Sequence, residues 1–108
     1  LNVCILEKAS EIGAHILSDQ LSSLNFFLKF IKKGGYYVIE DYKFPNYFKR
    51  CNDIKDNNLD LLVKKIKLRK KINSNVLNKN TIKKLYSSKI FTYKGKGKFS
   101  DILFIKKK

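Results

Sequence analysis

Apolar residues recur at Leu17, Leu21, Leu24, Leu28 and Ile31, which is i, i+4, i+7, i+11 and i+14, while Asp19, Gln20, Ser22 and Ser23 fall elsewhere. That spacing lines one side of a helix and predicts a single amphipathic element over this stretch. Lys32 and Lys33 close its last turn, where cations meet the negative end of the helix dipole, and Gly34 supplies the left-handed residue that follows a helix. Before this helix, Asn2 to Leu6 is a short apolar run suited to a strand buried on both faces. After it, Tyr36 to Ile39 is aromatic and β-branched, bounded by Gly34-Gly35 and by Glu40-Asp41, and predicts a second strand. Strand, helix and strand form a βαβ unit, whose two strands run parallel and are joined by a right-handed crossover.

Residues 42–55 contain Pro45, the only proline, with Tyr42, Phe44, Tyr47 and Phe48, and read as a loop or short helix over the carboxyl edge of the sheet. Helical spacing returns at Leu59, Leu62, Val63 and Ile66, with Lys64, Lys65 and Lys67 on the other side, so Asp56 to Leu68 is expected to be helical. Lys70 to Thr81 is polar and Asn-rich and reads as a loop with at most a short helical turn. Ser88 to Tyr93 and Asp101 to Lys106 are β-rich runs joined by a glycine-containing turn, predicting a terminal antiparallel hairpin. The expected class is α/β in the order β-α-β-α-β-β. Ligands in open sheets of this kind collect at the carboxyl ends of the parallel strands, where Glu7 to Glu11 and Glu40-Asp41 emerge.

Composition adjusts this picture only modestly. A chain of 108 residues supports one core or part of one. The net charge of +15 comes from 24 Lys plus Arg against 9 Asp plus Glu, and 22 of the basic residues are lysines dispersed along the chain. Specific nucleic-acid readers favour the planar fork of arginine, so this excess reads first as a solvated surface and nucleic acid is not an expected partner. Cys4 and Cys51 are far apart and lack a zinc-ligand spacing, which points to reduced thiols and a cytoplasmic protein. No run reaches the length of a membrane span, so no membrane partner is expected. The apolar strand begins almost at Leu1, which is not methionine, so an upstream portion is expected. A half sheet with an unpaired first strand is also expected to self-associate, making a homo-oligomer.

The segments "ILEKASEIGAH", "GGYYVIEDY" and the final "SDILFIKKK" together resemble the C-terminal half of class I S-adenosylmethionine-dependent methyltransferases. The likeness is greatest to metal-dependent O-methyltransferases acting on macrolide sugars and to the cephalosporin hydroxylase-like group. It covers nearly the whole chain, as the second half of a Rossmann-like methyltransferase sheet. The resemblance implies transfer of a methyl group from S-adenosylmethionine to an oxygen of a sugar or polyol. It places the cofactor's glycine-rich loop and ribose-binding acid upstream of Leu1. Glu40 and Asp41 fall at family positions that bind Mg2+, where hard oxygen ligands suit a hard cation. The third carboxylate position is Lys8, and the catalytic histidine position is Glu11.

These two departures change the implied chemistry. A protonated lysine does not ligate magnesium, so two carboxylates stand where three are implied unless Glu7 turns inward. A Lys8 ammonium in the ion's place would instead neutralise Glu40 and Asp41 without a metal. His15, the only histidine, reads as a packing or capping residue of the helix, with a catalytic role as the alternative. Tyr42, Phe44, Tyr47 and Phe48 either wall an acceptor pocket or cover the sheet. Two rival functions stand beside the enzyme: a noncatalytic methyltransferase-like remnant or partner subunit, and a small basic RNA-binding protein using residues 64–71, "KKIKLRKK".

Overall fold

The computed structural model describes residues 2–6 and 15–108. Its elements are β1 (Val3–Leu6), α1 (Leu17–Phe27), β2 (Tyr36–Glu40), α2 (Phe44–Tyr47), α3 (Leu59–Lys67), α4 (Lys79–Tyr86), β3 (Lys89–Lys94) and β4 (Asp101–Lys106). β1 and β2 pair in parallel, Cys4 opposite Tyr37 and Leu6 opposite Ile39. The terminal hairpin joins them through its last strand: β4 lies antiparallel between β2 and β3, so the sheet runs β1-β2-β4-β3. The fold is therefore α/β with a four-stranded mixed sheet.

The burial pattern explains why β4 is the inner strand. Asp101, Leu103 and Ile105 are buried on one side of it, whereas β3 is exposed at nearly every position. Leu103 and Ile105 share a core with Tyr37 and Ile39 of β2 and with Leu21 and Leu24 of α1. Leu59, Leu62, Val63 and Ile66 of α3 and Leu85 of α4 complete the same layer, so all three longer helices cover one face. On the other face, Val3 and Ile5 are about half exposed, at 51% and 50%. Val3, Tyr36, Val38, Phe91 and Phe104 line a shallow apolar hollow there. Among the described residues no helix is long and apolar enough to cross a membrane.

Two expectations about helices are corrected. The helix read through Ile31 leaves the α conformation after Phe27 and tightens into a 3-10 turn at Leu28–Phe30, with Ile31 extended. This turn keeps Leu28 and Ile31 buried, and Gly34 follows with φ 86 in the left-handed region. The larger correction is α4, which occupies Lys79–Tyr86, a stretch whose first residues read as loop. The β-α-β-α-β-β order thus gains α4, as well as the short α2 over the carboxyl edge.

Local chemistry accounts for α4. Asn78 is extended, and its side-chain oxygen accepts a 2.8 Å hydrogen bond from the Thr81 amide, while Thr81 and Leu85 turn inward. Asn58 does the same for α3 through the Leu61 amide at 2.8 Å. Asparagine at this position satisfies one of the orphan donors of the first turn. Asn58→Ala and Asn78→Ala are each expected to lower stability by about 1 kcal/mol in urea denaturation, with exposed Asn80→Ala nearly neutral.

Candidate functional site

β2 ends at Glu40, where alternation along the strand sends the carboxylate to the uncovered face, opposite buried Ile39. Asp41 follows with φ 54, one of two non-glycine residues at positive φ among the described residues. This left-handed turn swings the chain over the edge, and the Tyr42 amide then donates 3.1 Å to the Asp101 carbonyl. The Asp41 carboxylate lies 3.9 Å from Nε2 of His15, whose side chain is only 2% exposed. The imidazole is stacked on Phe44, with ring centroids 4.0 Å apart. Buried Gln20 of α1 donates to the Tyr42 carbonyl at 3.4 Å, tying the covering helix to the same turn.

Phe44 also begins an aromatic group with Tyr47, Phe48 and Phe99, in which neighbouring ring centroids lie 5.0 to 6.5 Å apart. Phe99 reaches it from the β3–β4 turn. Beneath it, buried Asp101 accepts a 2.7 Å hydrogen bond from the Tyr47 hydroxyl and faces Lys94 at 3.4 Å. This bond is the main reason the Tyr47 hydroxyl is held above its ordinary pKa. Burial, reinforced by Asp60 and Asp101, pushes Tyr42 up to about 12, so its phenol stays protonated at neutral pH. Burial likewise raises the thiols of Cys4 and Cys51, both free, which makes them poor nucleophiles.

The structure thus brings Asp41, His15 and Phe44 together, and carries Glu40 to the other side of the same strand end. Lys8 and Glu11, with Glu7, lie outside the described residues. Phe99 and Asp101 were not singled out by sequence reasoning. Asp101 carried a usable signal, being the only acid after Asp60. Glu40 and Asp41 offer the hard oxygens that magnesium takes, but the ion demands near-octahedral ligands at about 2.0–2.1 Å. Among the described residues, no group of three or more His, Cys, Asp and Glu side chains could hold a metal ion. The described residues alone therefore do not make a magnesium site.

No protein-family model, curated protein or solved structure matches the chain.

Two further carboxylates tie distant loops together, Asp53 to Ser18 and Asp56 to Ser74 and Asn75. Partial burial raises the Asp53 carboxyl, but hydrogen bonds from the Ser18 hydroxyl and amide outweigh it and hold the group below its ordinary value. Asp56 is governed in the same way by Asn57, Asn75 and Ser74. A depressed folded pKa contributes stability that is present above the unfolded value of about 4 and lost as pH falls through the folded one. Acid unfolding is expected to begin below about pH 4, and Asp56→Asn should flatten that limb in pH-dependent thermal melts.

Proposed function

We propose that this chain is the second half of a Rossmann-like, S-adenosylmethionine-dependent methyltransferase domain that methylates an oxygen of a sugar or polyol. The observation that carries the proposal is the acid pair Glu40-Asp41 at the carboxyl end of a parallel strand, in a sheet closed by an antiparallel terminal hairpin. The apolar, uncovered face also supports it, because parallel sheets in larger domains are covered on both sides.

The proposed chemistry needs few protein groups. The acceptor oxygen attacks the sulfonium methyl carbon, the carbon–sulfur bond breaks, and S-adenosylhomocysteine leaves. Positioning and charge placement supply the acceleration. Asp41 accepts the acceptor's hydroxyl hydrogen bond and takes its proton, while His15, buried against Phe44, orients the carboxylate. Glu11, at the histidine position of the resemblance, is the rival base. Phe44, Phe48 and Phe99 form an apolar wall against which a sugar ring can lie. No residue of this chain is assigned to the cofactor, and no step is routed through magnesium.

The test is release of S-adenosylhomocysteine by the native protein with a panel of sugar and polyol acceptors, with and without Mg2+. Turnover that Asp41→Asn abolishes supports the proposal, and dependence on Mg2+ would show that residues beyond those described complete an ion site. Absence of turnover with every acceptor would favour a noncatalytic methyltransferase-like subunit. The specific observation behind that second reading is the pairing of Asp41 with a buried histidine, which also serves as a purely structural tie.

A further inference from the structure

Residues 71–75 and α4 line an open groove of about 720 Å³, which among the described residues shares no lining residue with the carboxyl-edge site. That volume falls within the range of small-molecule sites, roughly 300–1,000 Å³. Lys79, Ile82, Lys83 and Tyr86 lie at i, i+3, i+4 and i+7 of α4 and so share the helix side that forms one wall. Lys55 and Lys71 bring two more cations. None of the four lysines forms an ion pair among the described residues.

Asp56, the one acid lining the groove among the described residues, offsets only one of these four charges. Asp56 accepts hydrogen bonds from the Asn57 amide at 2.7 Å on one oxygen, and from the Ser74 hydroxyl and Asn75 amide at 2.9 Å on the other. Ser74 in turn accepts from the amides of Val76 and Leu77, and Asn57 donates 2.7 Å to the Asn73 carbonyl. The loop wall is thus preorganised around the Asp56 carboxylate, and four lysines against this one acid leave a concavity with a net positive field. The rest of its lining is apolar or aromatic: Ile72, Leu77, Ile82 and the ring of Tyr86. Arg69, outside the groove, lies 5.5 Å from the Tyr86 ring centroid, and Tyr86 also donates to the Lys70 carbonyl, so the ring is held in place.

The run "KKIKLRKK", residues 64–71, contributes to this groove only through its end. Lys64 faces Asp60 at 3.4 Å and Lys65 donates to Asn57 at 2.7 Å, and of its residues only Lys71 lines the groove. Lysines act on phosphate as point charges, while an aromatic ring and aliphatic side chains accept a base. We propose that this groove binds nucleoside phosphates, with the phosphate groups between the lysines of the two walls and the base against Tyr86 and Ile82. The ligand is either a free nucleotide or a residue of a single strand, and the proposal does not depend on the methyltransferase reading.

The experiment measures ATP by calorimetry and a fluorescein-labelled oligouridylate by anisotropy, against two charge-matched variants. Lys71→Gln/Lys79→Gln/Lys83→Gln should weaken binding roughly tenfold or more and lower the salt slope for the strand by about 2, at ~0.7 per lost contact. Lys96→Gln/Lys98→Gln/Lys108→Gln removes the same charge from exposed positions outside the groove and should change affinity less than about threefold. Tyr86→Leu should weaken ATP more than inorganic triphosphate. Binding of ATP that displaces the strand identifies free nucleotide as sufficient, and binding of the strand alone identifies the polymer as the source. Equal losses in the two triple variants, or no binding of either probe, would overturn the proposal.

Discussion

Gly35→Ala is expected to destabilise the protein by about 3 kcal/mol or more and to lower the cooperativity of unfolding, because the site leaves no room for a methyl group. A Cβ built on Gly35 would sit 2.5 Å from the Asn2 carbonyl oxygen, 2.9 Å from the Ile31 side chain and 3.0 Å from the Lys32 carbonyl oxygen. Two of these three neighbours are backbone and cannot rotate away. The Asn2 carbonyl also accepts the Tyr36 amide at 2.8 Å, the first bond of the parallel β1–β2 ladder, so relief of the clash would open that ladder at its start. Lys107 adds a second restraint by donating its amide to the Gly35 carbonyl at 2.9 Å. The neighbouring glycine gives the internal control. Gly34 has φ 86 but nothing within 4 Å of a built Cβ, so Gly34→Ala incurs only the left-handed conformational penalty of about 1–2 kcal/mol. Equal losses for the two variants in urea denaturation would show that strand approach is not what the second glycine serves.

These glycines mark where the sequence was most informative. A helix with one apolar side, a left-handed glycine and a run of Tyr36 to Ile39 form a chain of mutually consistent local signals, and the βαβ unit follows from them; Lys32 and Lys33 lie past the helical turns and do not close them. Local signals could not reveal that β4 lies inside β3, since a hairpin alone leaves open which of its strands joins the rest. That choice is tertiary: the DILFIK run of β4 can bury three residues against the helices, while KIFTYK of β3 is polar enough to stay at the edge. The α4 helix was obscured for a different reason. It has only eight residues, two of them buried, and it follows a stretch of asparagines in which Asn78 is a helix cap while Asn73 and Asn75 belong to the loop. The same residue type carries both meanings, and only the positions of Thr81 and Leu85 tell them apart.

At the candidate site, the acids at the strand end were legible and their directions were not. Alternation predicts that adjacent strand residues diverge, and the left-handed turn at Asp41 then decides where the second carboxylate goes. Phe99 and Asp101 reach the edge through the terminal turn, more than fifty residues from the α2 aromatics Phe44 and Tyr47, a separation that local pattern does not bridge.

Asp41→Gly is expected to leave stability within about 1 kcal/mol of the parent while abolishing the proposed methyl transfer, and this dissociation is the strongest functional prediction at the carboxyl edge. A left-handed residue with a Cβ costs roughly 1–2 kcal/mol, less for aspartate than for branched residues, so glycine relieves strain at φ 54. The relief is offset by loss of the contact with His15, a 3.9 Å pair whose carboxylate partner is 24% exposed and therefore partly screened. Asp41→Val keeps a Cβ, loses the carboxylate and adds branching at the same φ, and should cost about 2 kcal/mol more than the glycine variant. Thermal melts and S-adenosylhomocysteine release on the three proteins separate the two roles of this residue. If Asp41 serves the fold, stability follows the His15 contact and Asp41→Gly falls with Asp41→Val. If it serves the chemistry, the glycine variant folds as well as the parent and does not turn over, because strain retained at an edge position where glycine would be easier is explained by what the side chain does there.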